Sequence, residues 1–193
     1  MDISNVKNRA LSPATLSKQY GVERMVVGVA IIVEEPTSRI KKMLLVQRSA
    51  EEKMLPNMFE LPGGKAEHED TTILDTVARE TLEETGFVVT RIVEEFSHFD
   101  YTTSRGLYRQ LNFVVEVEGS ASQSGGLPIP TLNPEEHQAY RWVAVKDSDS
   151  LGSLPMTPGM KEGCSKRSEG YWLLDGCLGW LFGKCVLQIK TEY

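Results

Sequence analysis

Cysteine is scarce in this chain: three in 193 residues, Cys164, Cys177 and Cys185, all within the last thirty. Their spacing fits no zinc pattern, and an odd count without a secretory leader points to free thiols, so neither a disulfide framework nor a cysteine-built metal site is expected. Positive charge is short as well, with 21 Lys and Arg against 27 Asp and Glu and a net charge of −6. Binding a nucleic-acid polymer through its backbone needs a basic surface, so no such partner is expected. A small phosphorylated compound held through a metal remains compatible with that charge. Long apolar runs are also missing. Met1 to Tyr20 carries Asp2, Lys7, Arg9 and Lys18 with no apolar stretch, which reads as no secretory signal and a cytoplasmic setting. Tyr171 to Leu187 is apolar, but its seventeen residues include Asp175, Lys184 and three glycines. That is too short and too interrupted for a membrane span, and it lacks the basic face of a surface anchor.

What is present is ordinary globular material: 40% hydrophobic and 25% charged residues, enough for one domain with a sizeable core. Met1 to about Val22 reads as a polar, irregular lead-in. Met25 to Glu34 is rich in branched apolar residues and predicts a buried strand, with Lys42 to Gln47 returning after the turn Glu35 to Arg39. Val88 to Phe99 and Leu107 to Glu118 predict a second pair, the latter with Leu111, Phe113, Val115 and Val117 alternating on one face. Gly119 to Pro134 is a loop by composition, and it ends in Glu135-Glu136-His137-Gln138-Ala139-Tyr140-Arg141-Trp142-Val143.

The chemistry is concentrated between these pairs. Thr72 with Asp75 three residues on approximates a capping box that starts a helix near Ile73, and Gly86 suits its C-terminus. Ile73, Leu74, Val77, Ala78 and Leu82 form the expected packing stripe. Glu80, Glu83 and Glu84 lie at i, i+3 and i+4, within an arc of about 100°. Like charges so spaced destabilise a helix unless a cation sits between them, and a hard divalent ion takes oxygen ligands. Upstream, Leu61-Pro62-Gly63-Gly64 permits a tight backbone path close to a metal or a phosphate.

The segment Gly63 to Phe87 resembles the Nudix box, G-x5-E-x7-R-E-U-x-E-E-x-G-U with U a bulky aliphatic residue. Arg79-Glu80-Thr81-Leu82-Glu83-Glu84-Thr85-Gly86-Phe87 matches its second half apart from Thr81 at the first U. Gly64 to Arg79 is one residue longer than the pattern, and counting back from Arg79 puts Thr71 where the family's first Glu belongs. Glu67, Glu69 and Asp70 are near enough to substitute if the extra residue bulges.

The resemblance covers roughly Glu23 to Lys161. It implies an α/β/α sandwich with a mixed sheet, the box helix on one side and a C-terminal helix on the other. It also implies hydrolysis of a phosphoanhydride in a nucleoside diphosphate linked to another moiety, or in a related small diphosphate. Mg²⁺ or Mn²⁺ would be held by Glu80, Glu83, Glu84 and the carbonyl of Gly63 or Gly64, with Arg79 orienting the carboxylates. Glu136, or failing that a box carboxylate, would take the proton from water. Arg48 either reaches substrate phosphates or is a solvated strand end. A homodimer is a possible assembly. The missing first Glu leaves a rival reading, a weak or inactive nucleotide-binding sensor on the same fold. A short helix near Met156 to Glu162 is expected, then a loosely docked apolar tail, residues 162–193, with Trp172, Leu173, Trp180 and Phe182 exposed.

Overall fold

The computed structural model describes residues 1–118, 126–146, 148–158, 160 and 186–187. Its centre is β1 (Arg24–Glu34), buried from Met25 through Ile31 on both faces. That continuous burial follows from a run of branched side chains with neighbours above and below the sheet. β1 pairs in parallel with β5 (Gly106–Val117), Arg24 opposite Tyr108 through Ile31 opposite Val115. β5 in turn pairs antiparallel with β4 (Val89–Thr103), and β4 pairs in parallel with the two-residue β7 (Val186–Leu187).

On its other edge β1 meets β2 (Lys41–Arg48) only at Ile32 to Glu34. Past that point β2 turns away to pair with β3 (Phe59–Glu60), while β6 (His137–Ala144) runs antiparallel to β2 from Lys42 to Arg48. The vacated edge of β1 is filled by the Pro-Gly-Gly loop. Val29 N–H donates to the Pro62 carbonyl at 2.7 Å, Val27 N–H to Gly64 at 2.9 Å, and Ala66 N–H to Met25 at 3.0 Å. The loop is thus hydrogen-bonded into a rigid sheet edge, which fixes its backbone for chemistry.

The box helix, α2 (Ile73–Thr85), begins on a reciprocal Thr72–Asp75 capping box and ends at Gly86 with φ 71°. It covers one face of the sheet over Val27, Val29, Ile31, Leu111, Phe113 and Val115. On the other face Ala30, Leu45, Phe59, Val114 and Val143 pack under Leu151, Leu154 and Met156, which follow or belong to a short α3 (Ser148–Ser153). The mixed sheet between helices is the expected sandwich.

Two expectations need correction. Residues 1–22 are not an irregular lead-in. Pro13–Tyr20 form α1, capped by Ser12, whose Oγ accepts from Thr15 N–H, and closed by Gly21 at φ 68°. Leu16 and Val6 enter the core beside α2, and Ile73 N–H donates to the Leu11 carbonyl at 2.9 Å. Leu16 is the single buried residue of α1, too sparse an apolar pattern to mark the helix in the sequence. Leu82 is the second correction: it is 51% exposed, while Thr81 and Thr85 are fully buried. Their hydroxyls donate back to the Val77 and Thr81 carbonyls one turn earlier, so the buried threonines carry no unsatisfied donor and present methyl groups to the core. The expected helix Met156 to Glu162 and the tail with Trp172, Leu173, Trp180 and Phe182 lie for the most part outside the described residues.

Candidate active site

Gly63 and Gly64 are glycines for different reasons. Gly63 has φ 147°, and a Cβ there would stand 2.2 Å from the Val27 carbonyl oxygen. Its N–H donates to Glu84 Oε2 at 2.7 Å, so the loop turns an amide onto the helix. A Cβ on Gly64 would instead stand 2.5 and 2.6 Å from the two oxygens of the Glu80 carboxylate. The Gly64 carbonyl accepts from Val27 N–H and keeps a second lone pair for a further partner.

The three box acids separate once packed. Glu80 and Glu84 are 7% and 4% exposed, whereas Glu83 lies at the rim. Burial pushes the Glu80 carboxyl up to about 7, with Arg79 pulling it down and Glu83 and Glu136 adding to the rise. Burial likewise raises Glu84 well above the usual range, against the Gly63 N–H and reinforced by Glu80, Glu136 and Glu60. Two buried carboxylates that each hinder the other's ionisation are a site for positive charge.

Arg79 organises the rim. Its Nη1 donates to Glu80 Oε1 at 2.9 Å and to Glu83 Oε2 at 3.0 Å, and its Nη2 to the Lys65 carbonyl at 3.0 Å. Nε and Nη2 also grip Asp70 in a bidentate pair at 3.1 and 3.0 Å. Of the three acids near the gap at Thr71, Asp70 is the one turned onto Arg79. A turn through His68 and Glu69 brings Asp70 inward, 8% exposed, where it also accepts from Thr76 Oγ1 at 2.8 Å and Glu67 N–H at 2.8 Å. Glu67, Glu69 and Thr71 face solvent. Burial would raise the Asp70 carboxyl, but the Arg79, Glu67 and Thr76 donors outweigh it and hold it below its ordinary value.

Arg48 is neither free nor a solvated strand end. Its Nε donates to the Met54 carbonyl at 2.9 Å, its Nη1 to Glu60 Oε1 at 2.7 Å, and its Nη2 pairs with Glu52 at 3.0 Å. A substrate phosphate would have to share it with those acids. Glu136, exposed in the loop before β6, comes within reach of Glu84, as does the buried His137. The structure therefore brings Glu80, Glu84, Arg79, Gly64 and Glu136 together, with Glu83 at the rim and Arg48 beside Glu60. Sequence reasoning missed Glu60 and His137. Neither sits in the box, and only pairing of β3 and β6 with β2 delivers them.

A family model for the NUDIX domain matches residues 24–162. The chain belongs to the NUDIX family. Family membership and the intact acidic helix make it a Nudix-type pyrophosphohydrolase. Among solved structures it is similar to the NUDIX domain of Shewanella oneidensis NrtR in complex with ADP ribose, at 18% identity and TM-score 0.54, over 72% of this chain and 81% of that one. It is similar to a MutT NUDIX hydrolase from Burkholderia pseudomallei at 22% identity and TM-score 0.52, over 75% and 98%. It is also similar to a C. elegans Ap4A hydrolase binary complex at 18% identity and TM-score 0.51, over 68% and 87%. No curated protein sequence gives a match. At these identities the structural likenesses establish the Nudix fold.

The two glycines give a paired expectation. Gly64→Ala should displace the Glu80 carboxylate, whose end can swing, and cost on the order of 10–100-fold in kcat/KM with little change in Tm. Gly63→Ala meets backbone instead and should lower Tm. Wild-type kcat/KM in Gly64→Ala would show that the placement of Glu80 is immaterial.

Proposed function

We propose that this Nudix protein hydrolyses a phosphoanhydride in a small compound that links a nucleoside diphosphate to another moiety, with Mg²⁺ or Mn²⁺ as cofactor. One observation carries the reading: Glu60, Glu80, Glu83, Glu84, Glu136 and Asp70 are bonded or electrostatically coupled around two cations, Arg79 and Arg48. That excess of oxygen donors suits a hard dication. Glu80, Glu83, Glu84 and the Gly64 carbonyl would hold it. When bound, such an ion polarises the phosphoryl oxygens and lowers the pKa of a ligated water.

The remaining roles fall to the chain itself. Arg79 fixes the rotamers of Glu80 and Glu83 while Asp70 anchors Arg79, a positioning task at one remove from the reaction. Glu136, exposed at the mouth of the site, accepts the proton from the attacking water at its carboxylate. Arg48, already beside Glu60, offers its guanidinium to a phosphate. The Pro62–Gly64 backbone, pinned on β1, keeps helix and loop in register through the cycle. The departure that favoured a non-catalytic sensor was the missing first acid, and Asp70 occupies that role from one position earlier.

The substrate is taken to be a small diphosphate in the cytoplasm. No helix among the described residues is long and apolar enough to cross a membrane. Sedimentation velocity distinguishes a monomer from a homodimer. The deciding experiment is a panel of ADP-ribose, dinucleoside polyphosphates, nucleoside diphosphate sugars and nucleoside triphosphates with Mg²⁺ or Mn²⁺, scored by product mass. At least one should be cleaved at the anhydride, with loss of cleavage in chelator. Tight binding without cleavage of any would favour the sensor.

A further inference from the structure

We infer that Glu84, Glu136 and His137 form a second cation site, whose imidazole nitrogen favours a transition ion such as Co²⁺, or Mn²⁺ to a lesser degree, over Mg²⁺. The inference rests on the proposed function and shares two residues with it, Glu84 of the box helix and Glu136. Glu136 serves as a ligand here when the second ion is bound and as proton acceptor when it is not.

Three features place the site. One ligand atom from each of the three residues lies within 4.8 Å of the others. Donors around one ion at about 2.1 Å stand roughly 3–4 Å apart, so closing the set needs a shift of about 1 Å. Glu136 is exposed and free to make it. Second, His137 is 3% exposed, and neither Nδ1 nor Nε2 has a hydrogen-bond partner. A histidine buried only for packing normally donates one ring N–H to a carbonyl or carboxylate, because an unpartnered buried polar atom is costly. Glu60 Oε1 is 3.8 Å from Nε2, beyond hydrogen-bond range, and is already bonded to Arg48.

Third, the backbone is built to aim this ring. β2 and β6 run in register until Gln47 faces Ala139, then a bulge sets Arg48 opposite His137. Without it Arg48 would face Gln138 and His137 would lie on the other side of the sheet. A bulge that re-aims one side chain beside an acidic site is a recurrent device. His137 N–H and Glu136 N–H both return to the Asn133 carbonyl, at 2.8 and 3.2 Å, so the two ligands leave a single tight turn.

A nitrogen donor changes which ion is preferred. Mg²⁺ favours oxygen and holds its waters, whereas imidazole suits transition ions. Nothing in the acidic helix alone makes that distinction.

Pulsed EPR of the Mn²⁺-loaded full chain tests the inference directly. Imidazole ¹⁴N modulation should be present in the wild type, persist in a His68→Gln, His98→Gln double variant, and vanish in His137→Gln. In parallel, His137→Gln should weaken Mn²⁺ binding by about 10–100-fold at one site while leaving Mg²⁺ affinity unchanged. Should His137→Gln fail to fold, the double variant still decides, since His137 is then the only imidazole left. Absence of ¹⁴N modulation in wild type, or equal loss of both ions in His137→Gln, overturns the nitrogen site. Mn²⁺ binding without modulation but lost in Glu80→Gln would sink this site and leave the proposed function standing. No binding of either ion would remove both.

Discussion

Glu84→Gln should lower turnover on the best substrate by on the order of 100-fold or more, with the fold retained. The carboxylate is 4% exposed and takes the Gly63 N–H at 2.7 Å, a bond that the amide oxygen of Gln can still accept. Shape and packing therefore survive. What is lost is a charge that Glu80, Glu136 and Glu60 already oppose, so the cation-free protein should melt at the same temperature or higher. Substituting an outer partner of a metal ligand commonly costs 10–100-fold, and a direct ligand should cost at least that. The rise in Tm produced by Mg²⁺ or Mn²⁺ in the wild type should shrink in parallel, by mass action. Wild-type turnover in Glu84→Gln would take this residue out of the metal site.

Asp70→Asn should be the largest single loss of stability near the site, about 3 kcal/mol, or roughly 6–12 °C in Tm. The substitution keeps volume but removes the charge held against Arg79, and it sets an NH₂ against a guanidinium, a hydroxyl and an amide that all donate. The pH dependence follows from the direction of the shift. The folded carboxyl titrates below its ordinary value of 3.8. Its contribution is therefore complete above the unfolded value and is lost as pH falls through it toward the folded one. Urea unfolding at a series of pH values should show a constant gap between wild type and Asp70→Asn from neutral pH to about 5, closing below about 4. A gap of equal size at pH 3 and pH 7 would assign the loss to packing instead.

The arginine clamp shows where reading the sequence stopped. Counting along the chain located the gap at Thr71 and named Glu67, Glu69 and Asp70 as substitutes. The choice depended on which side chain a turn at His68 and Glu69 carries inward, and the acid so placed, Asp70, is held by Arg79 nine residues after it. Leu82 illustrates the same limit on the helix. Hydrophobicity favoured Leu82 for the core over Thr81, yet the helix is rotated so that Glu80 and Glu84 meet the Gly63–Gly64 loop. That rotation carries Thr81 and Thr85 inward, and their hydroxyls bond back to the helix.

The residues by themselves determined the ends of α2, through Thr72, Asp75 and Gly86, and the spacing that sets three acids on one side of it. They determined the strands β1, β2, β4 and β5 as well. These features depend on backbone preferences and periodicity within a few residues, so they are written locally. The tertiary structure alone decided that Asp70 holds Arg79, that Glu83 stays at the rim, and that α1 packs against β1. It alone brought His137 to Glu84, fifty-three positions earlier in the chain. Such contacts depend on how strands pair and where a bulge falls, and no local stretch of sequence carries the energy that fixes them.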